Sequence, residues 1–428
     1  MIFRNAVKRV LTAPKGADHR SADRLAILYD HLGIPAKGLA SIQIVGESGK
    51  SACATMLSHA LSARGYRTGT LSTPFSHTMT ECITLDGTPI SMDDFTDCVN
   101  YVVTTAETIR TTLATLPSLS DEERDELPAA QKRLYTYKNA DEAFSLYADE
   151  LLLTAALHYF SKNGCQLAII ETPTGDRMNA YHLPSPILVT AVTTTHDPVI
   201  TDQVCKCLGK KTREIVSAIQ EREIAQKISD RSAKINCRLT VPLKNQFYTA
   251  DLAANRARVF YKNAQYLLRS GAYYQGYNLL TVVEILSALK RQGLAVDPAS
   301  VDLQATSGNT GLPLQFHFMS LAPNIITDFA DTDMRRTAFA ESLSFHKDCI
   351  KGSVILVAEQ TEEADELLCR PLEEKGISVS TVVRTDLSAP LRAMKPVIKA
   401  LSPDDTLLIL GSRPFVYEIH RAICANLP

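Results

Sequence analysis

Residues 42–51 read Ile-Gln-Ile-Val-Gly-Glu-Ser-Gly-Lys-Ser, and Ala52, Ala54, Met56 and Leu57 follow directly. No other segment restricts the fold as tightly. The β-branched apolar run reads as a buried strand, the glycine pair turns the chain, and a helix opens immediately behind it. The same turn carries chemistry. Backbone N–H groups at a helix N-terminus face anions, Lys50 adds a point charge suited to β- and γ-phosphates, and the Ser51 hydroxyl suits Mg2+. Gly46, Glu47, Ser48, Gly49, Lys50 and Ser51 are therefore read as a phosphate-binding loop. The alternative is a glycine-containing strand-to-helix turn with a surface lysine.

Strand and helix patterns alternate on both sides of this loop. Helical spacing of Leu25, Leu28, Tyr29 and Leu32 predicts a helix over 22–32, stopped by Gly33-Ile34-Pro35. Strands are predicted at 68–72, at 166–170 ending in Glu171, and at 187–193. Ser91 with Asp93 and Asp94 predicts an N-capped helix running to about Leu113, and Leu151–Phe160 a buried one. Residues 81–85 alternate before Asp86-Gly87, which predicts a hairpin. Regular alternation of this kind implies an α/β fold with a parallel sheet covered on both faces, and ligands bind such sheets beyond the carboxyl ends of the strands. Lys50, Thr73, Glu171 and the segment 193–197 all fall there. Residues 114–141 are polar and read as an inserted surface loop with at most one short helix, whereas 250–292 reads as a long helical stretch. The Asp-, Ser-, Gly- and Thr-rich run 296–312 is the expected boundary. Beyond it the rhythm restarts as a smaller α/β domain, with strands at 324–327, 353–358, 378–383 and 406–410 and a helix at 333–344. Two domains are expected, 1–300 carrying the phosphate loop and 301–428.

The 428 residues carry 21% charged and 45% apolar side chains and a net charge of −2. Nothing in this balance suggests a polyanion-binding surface, so nucleic acid is not an expected partner. Ten cysteines are scattered through the chain, a pattern of reduced thiols that predicts a cytoplasmic protein. Cys205-Lys206-Cys207 has no second pair at zinc spacing and reads as two helix-flanking thiols. The longest apolar runs, such as Leu151–Leu157, are far short of a membrane span, and the basic start Met1–Arg9 lacks the core of a signal peptide.

Six segments in order resemble folylpolyglutamate synthases of the Mur ligase superfamily. Residues 41–51 are similar to that family's Ile-His-Val-Ala-Gly-Thr-Asn-Gly-Lys-Gly-Ser. Arg64–Gly69 with Ser72-Thr73-Pro74 resembles its stretch ending Thr-Ser-Pro-His, and Glu81–Ile83 with Asp86–Ser91 resembles Glu-Arg-Ile followed by Asn-Gly-Glu-Pro-Ile-Ser. Glu171–Ala180 resembles Glu-Val-Gly-Leu-Gly-Gly-Arg-Leu-Asp-Ala, Gly271–Asn278 resembles Gly-x-x-Gln-x-x-Asn, and Gly411-Ser412 resembles the closing Gly-Ser.

The resemblance implies a P-loop ATPase domain followed by a Rossmann-like domain, acting as a monomer. It implies that ATP phosphorylates a folate-like carboxylate and that the amine of glutamate attacks the acyl phosphate. Lys50 and Glu171 are then the catalytic candidates. ATP contacts are implied for Gly46–Ser51, Gln275, Asn278 and Asp328, and Mg2+ ligation for Ser51, Thr73, Glu171 and His196. For Glu171 the alternative is a strand-end carboxylate capping a helix or pairing with Arg177. Several positions depart from the family. Phe75 stands for a histidine, and the carbamylated lysine that holds a second Mg2+ falls at about Ala218-Ile219-Gln220, where there is none. Lys210 and Lys211 lie about two helical turns earlier. The linker arginine becomes Leu312 or is missing, and Asp328–Asp333 keeps only part of Asp-Gly-Ala-His-Asn-Pro. Two functions follow, an ATP-dependent ligase or an impaired relative that binds nucleotide or a partner in a regulatory role.

Overall fold

A computed structural model describes residues 2–34, 39–73, 78–138, 144–184, 186–209, 211–300, 314–361, 363–386 and 390–424. Phe75, Lys210 and most of the expected boundary, including Leu312, lie outside them. Two compact units emerge, one formed by 1–73, 79–241 and 284–296, the other by 74–78, 242–283 and 297–428.

In the first unit, helices α1 (Phe3–Thr12) and α2 (Ser21–Leu32) precede strand β1 (Ala40–Val45) and helix α3 (Lys50–Ser62). Strand β2 (Thr68–Leu71) is followed by the hairpin β3 (Ile83–Leu85) and β4 (Thr88–Pro89), then by α4 (Met92–Thr115), whose Ser91 cap accepts the Asp94 N–H as expected. The insertion departs from a simple loop, because α5 (Asp121–Asp125) and α6 (Ala129–Lys138) are both helical. Ser120 and Glu123 form a capping box on α5, a local signal strong enough to nucleate a short helix in a polar run. Then come α7 (Ala148–Lys162), β5 (Leu167–Glu171), β6 (Ile187–Val192), α8 (Pro198–Cys207), β7 (Thr212–Ser217), α9 (Arg222–Lys234) and β8 (Arg238–Thr240).

The eight strands are ordered β4-β3-β2-β5-β1-β6-β7-β8, parallel from β2 to β8 with the hairpin as an antiparallel edge. β1 is central and buried beyond its first residue on both faces, so its polar Ser41 and Gln43 are buried along with Ile42 and Ile44, and the Gln43 amide donates to Thr172 Oγ1 at 3.2 Å. Helices α8 and α9 cover one stretch of the sheet through Val204, Leu208, Ile224 and Ile228 on Val45, Val192 and Ile215. Helix α7 comes so close to β2 that a Cβ on Gly69 would run into the Phe160 ring.

A buried charge network ties α2 to α7. Arg24 donates to both Glu150 oxygens (3.0 and 2.8 Å) and to Asp18 (3.1 and 2.8 Å), with Arg24 and Glu150 side chains 2% and 0% exposed.

The second unit corrects the predicted helix over 250–292. Strands β9 (Phe247–Ala253), β10 (Arg256–Tyr261) and β11 (Ala264–Leu268) form an antiparallel sheet, and only α10 (Tyr273–Arg291) is helical, its residues from Glu284 on belonging to the first unit. The physical reason is period: burial alternates strictly along β11, and Lys262 and Asn263, both at positive φ, turn β10 back on itself. Next come β12 (His317–Leu321), β13 (Asn324–Asp328), α11 (Asp333–Ser344), β14 (Val354–Glu359), α12 (Asp365–Glu374), β15 (Thr381–Thr385), α13 (Pro390–Ala400), β16 (Thr406–Leu410) and α14 (Arg413–Cys424). The sheet order is β12-β13-β16-β14-β15, with β12 antiparallel and the rest parallel. None of the ten cysteines is in a disulfide.

Candidate active site

Strand register assembles the site. Ile44 of β1 is level with Glu171 of β5, Leu71 of β2 with Ile170, and Val45 with Val192 of β6. The residues that leave the carboxyl ends of these strands are Gly46, Ser72, Glu171 and Thr193, so they share one edge of the sheet. Gly46 has φ +124°, and a Cβ there would sit 2.8 Å from the Thr193 carbonyl oxygen and closer still to Thr193 Oγ1. Only glycine fits this approach.

The loop is zipped to the next strand's exit. Glu47 and Ser48 N–H donate to Thr194 O (3.1 and 3.0 Å), and the Glu47 carboxylate accepts from His196 N (3.0 Å) and Asp197 N (3.2 Å). Gly49, at φ +87°, leads into α3, and the Lys50 ammonium bends back over the loop to Gly46 O (2.8 Å) and Glu47 O (3.2 Å). Asp197 caps α8 through Val199 N at 2.7 Å.

Glu171 is buried and polar-paired. Its carboxylate accepts the Ser51 hydroxyl at 3.1 and 2.9 Å and also the Ser72 hydroxyl. Arg177 is not its partner: Arg177 makes a two-pronged ion pair with Asp149 at 2.8 and 2.6 Å. Thr73, the residue named from the family resemblance, is buried beside Ser72, and Ser72 is the one that reaches the carboxylate. Two hydroxyls on a buried carboxylate make a hard-oxygen donor set that could hold Mg2+. Burial, and then the Glu171 charge, pushes the neighbouring Cys53 thiol up to about 12, so it is an inert packing group.

His196 is placed elsewhere. Its ring Nδ1 lies 3.1 Å from Glu221, and the side chain is 40% exposed. Gln220, in the stretch 218–220 where the resemblance implies a lysine, spends its amide on Thr193 O (2.9 Å), Ser217 Oγ (3.3 Å) and Thr195 N (3.1 Å).

Gln275, Asn278 and Asp328 belong to the second unit. Asn278 donates to Gln275 Oε1 (2.9 Å) and Gln275 to Gln315 Oε1 (3.0 Å). Asp328, at the carboxyl end of β13, accepts Tyr274 OH (2.9 Å) and Phe329 N (2.7 Å). Burial raises its carboxyl to about 7 despite those bonds. Its register partners lead to Gly411 and Glu359, and Ser412 N donates to Glu359. Sequence reasoning missed Ser72, Gln220 and the clamp made by Glu47. A hydroxyl adjacent to Thr73 at a strand end was the available signal for Ser72, since one residue of register decides which of the two points at β5.

A mostly parallel eight-stranded sheet followed by a five-stranded Rossmann-like sheet defines a class of two-unit α/β proteins. Within it the fold is that of folylpolyglutamate synthase. The apo enzyme from L. casei superposes with a TM-score of 0.77 at 17% identity over 100% of both chains. The Mycobacterium tuberculosis enzyme complexed with ADP gives 0.75 at 16%, over 100% of this chain and 99% of that one. No protein-family model matches the chain. Curated relatives bear out the resemblance seen in the motifs. They include the dihydrofolate synthetase of Saccharomyces cerevisiae, 27% identical over 160 residues, 37% of this chain and 30% of that protein. The dihydrofolate synthase/folylpolyglutamate synthase of Bacillus subtilis is 23% identical over 214 residues, 48% and 43%. The matches thus span less than half the length of these relatives. Among the described residues no helix is long and apolar enough to cross a membrane.

Proposed function

We propose that the chain is an ATP-dependent carboxylate–amine ligase that joins glutamate to a folate-like carboxylate through an acyl phosphate. The observation that carries this reading is the convergence of Lys50, Ser51, Ser72 and Glu171 on one sheet edge by strand register. Support comes from the names of the curated relatives and from a solved neighbour, a folylpolyglutamate synthase–AMPPCP–folate complex, with TM-score 0.76.

The acceptor carboxylate oxygen attacks the γ-phosphorus, the bond to the β-phosphate oxygen breaks, and ADP leaves. The glutamate amine then attacks the acyl carbon, loses its proton, and expels inorganic phosphate. Both steps concentrate negative charge on the phosphoryl group, so positioned cations supply most of the acceleration. Lys50 exchanges the carbonyls of Gly46 and Glu47 for phosphate oxygens. Ser51, Ser72 and Glu171 would hold the Mg2+ that neutralises those oxygens. Glu47 keeps the loop open by anchoring it to the backbone of His196 and Asp197.

Oxygen-18 in the acceptor carboxylate tests the route. Transfer of one label into released phosphate is expected, and phosphate free of label alongside amide product would rule out the acyl phosphate.

A further inference from the structure

We propose that this sheet edge holds a single divalent cation per bound nucleotide, where the family resemblance implies two; the inference rests on the ATP-dependent reading above. Glu171 with Ser51 and Ser72 supplies one hard-oxygen set. A second ion needs another anionic donor from the exits of β6 and β7, and each carboxylate there already has a partner within the protein.

Glu47 accepts two backbone N–H groups, from His196 and Asp197. Asp197 accepts the first N–H groups of α8, from Val199 at 2.7 Å and Ile200 at 3.4 Å. His196 faces Glu221, whose side chain is 70% exposed. Gln220 is neutral, and its amide joins the exit of β6 to the exit of β7 through Thr193, Thr195 and Ser217. Turning that amide toward an ion gives up its bonds to the Thr193 carbonyl and the Thr195 N–H, which leaves the Thr195 hydroxyl at 3.2 Å on that carbonyl. Lys211 cannot take its place. It precedes β7, whose six residues carry the chain about 20 Å to the site, so it lies at the opposite edge of the sheet. The site therefore works with one cation and Lys50, and Gln220 is a positioning residue that fixes the strand exits.

The test counts ions. The full chain is saturated with AMPPCP and titrated with Mn2+, and free Mn2+ is read by electron paramagnetic resonance. One Mn2+ per bound nucleotide is expected, both in the wild type and in His196→Ala. A plateau at two, or loss of the bound ion in His196→Ala, overturns the proposal while leaving the nucleotide site intact. If AMPPCP itself does not bind, the ATP-dependent reading falls and takes this inference with it.

Discussion

Substituting Gly46→Ala probes the loop at its tightest point. The added Cβ meets Thr193 O at 2.8 Å, Thr193 N at 3.0 Å and Thr193 Oγ1 closer than either, and two of those three atoms are backbone. Rotating a side chain relieves only the hydroxyl contact, so β6 must shift at its exit or the loop must lift. Gly46 also has φ +124°, a conformation that L residues rarely adopt. The strain costs about 1–2 kcal/mol and the overpacking about 1–3 kcal/mol, together about 2–5 kcal/mol. Gly164→Ala is the control, because Gly164 has φ +66° with nothing within 4 Å of a new Cβ and pays strain alone. Urea unfolding of both variants measures the difference, and calorimetric titration with AMPPCP measures the loop. Gly46→Ala should lose at least about 1 kcal/mol more stability than the control and bind AMPPCP at least tenfold more weakly. Equal behaviour of the two variants would refute the close approach of the loop to Thr193.

Three further outcomes are expected. Lys50→Ala should weaken AMPPCP binding at least tenfold, about 1.4 kcal/mol, with an unchanged unfolding midpoint, since the ammonium is held by loop carbonyls rather than by core packing; calorimetry and thermal melting check both halves. Glu150→Gln should cost about 3–5 kcal/mol in urea unfolding by leaving Arg24 buried with a depleted partner set, while the apolar pair Arg24→Met with Glu150→Leu should recover most of it. Asp328 sets a pH dependence. Its folded carboxyl titrates near 7 against 3.8 for the ordinary group, so the native state holds the extra proton and this contribution is lost as pH rises from about 4 to 7. Asp328→Asn should flatten that fall, by about 1.4 kcal/mol for every tenfold difference in proton affinity between the folded and unfolded carboxyl, as read from melting temperatures between pH 5 and pH 8.

The legible parts of the fold are those with local signals. The β1 turn into α3 carries its glycines at the turn, α4 carries its Ser91 cap, and the helix expected at 333–344 coincides with α11. The stretch 247–268 misleads because Phe247, Tyr248, Phe260 and Tyr261 are as compatible with a helix face as with strands; pairing across β9, β10 and β11 decides it. β7 escapes a sequence reading for a related reason, since a strand buried at four successive positions shows no alternation. Within the site, Lys50, Ser51 and Glu171 are legible because each stands where the chain leaves a strand or enters a helix. Ser72 in place of Thr73 depends on register, and the pairing of Arg177 with Asp149 on a contact 28 residues apart, neither of which a local pattern encodes.

Ligation itself is the most direct measurement. The chain is incubated with Mg2+, ATP, a folate-like acceptor and glutamate, with Lys50→Ala alongside, and product and ADP are counted by mass spectrometry. One amide-linked glutamate per ADP formed, absent without either substrate and lost in Lys50→Ala, is the expected result. Nucleotide binding with no ATP consumed and no glutamylated product, for any folate-like acceptor offered, would contradict it.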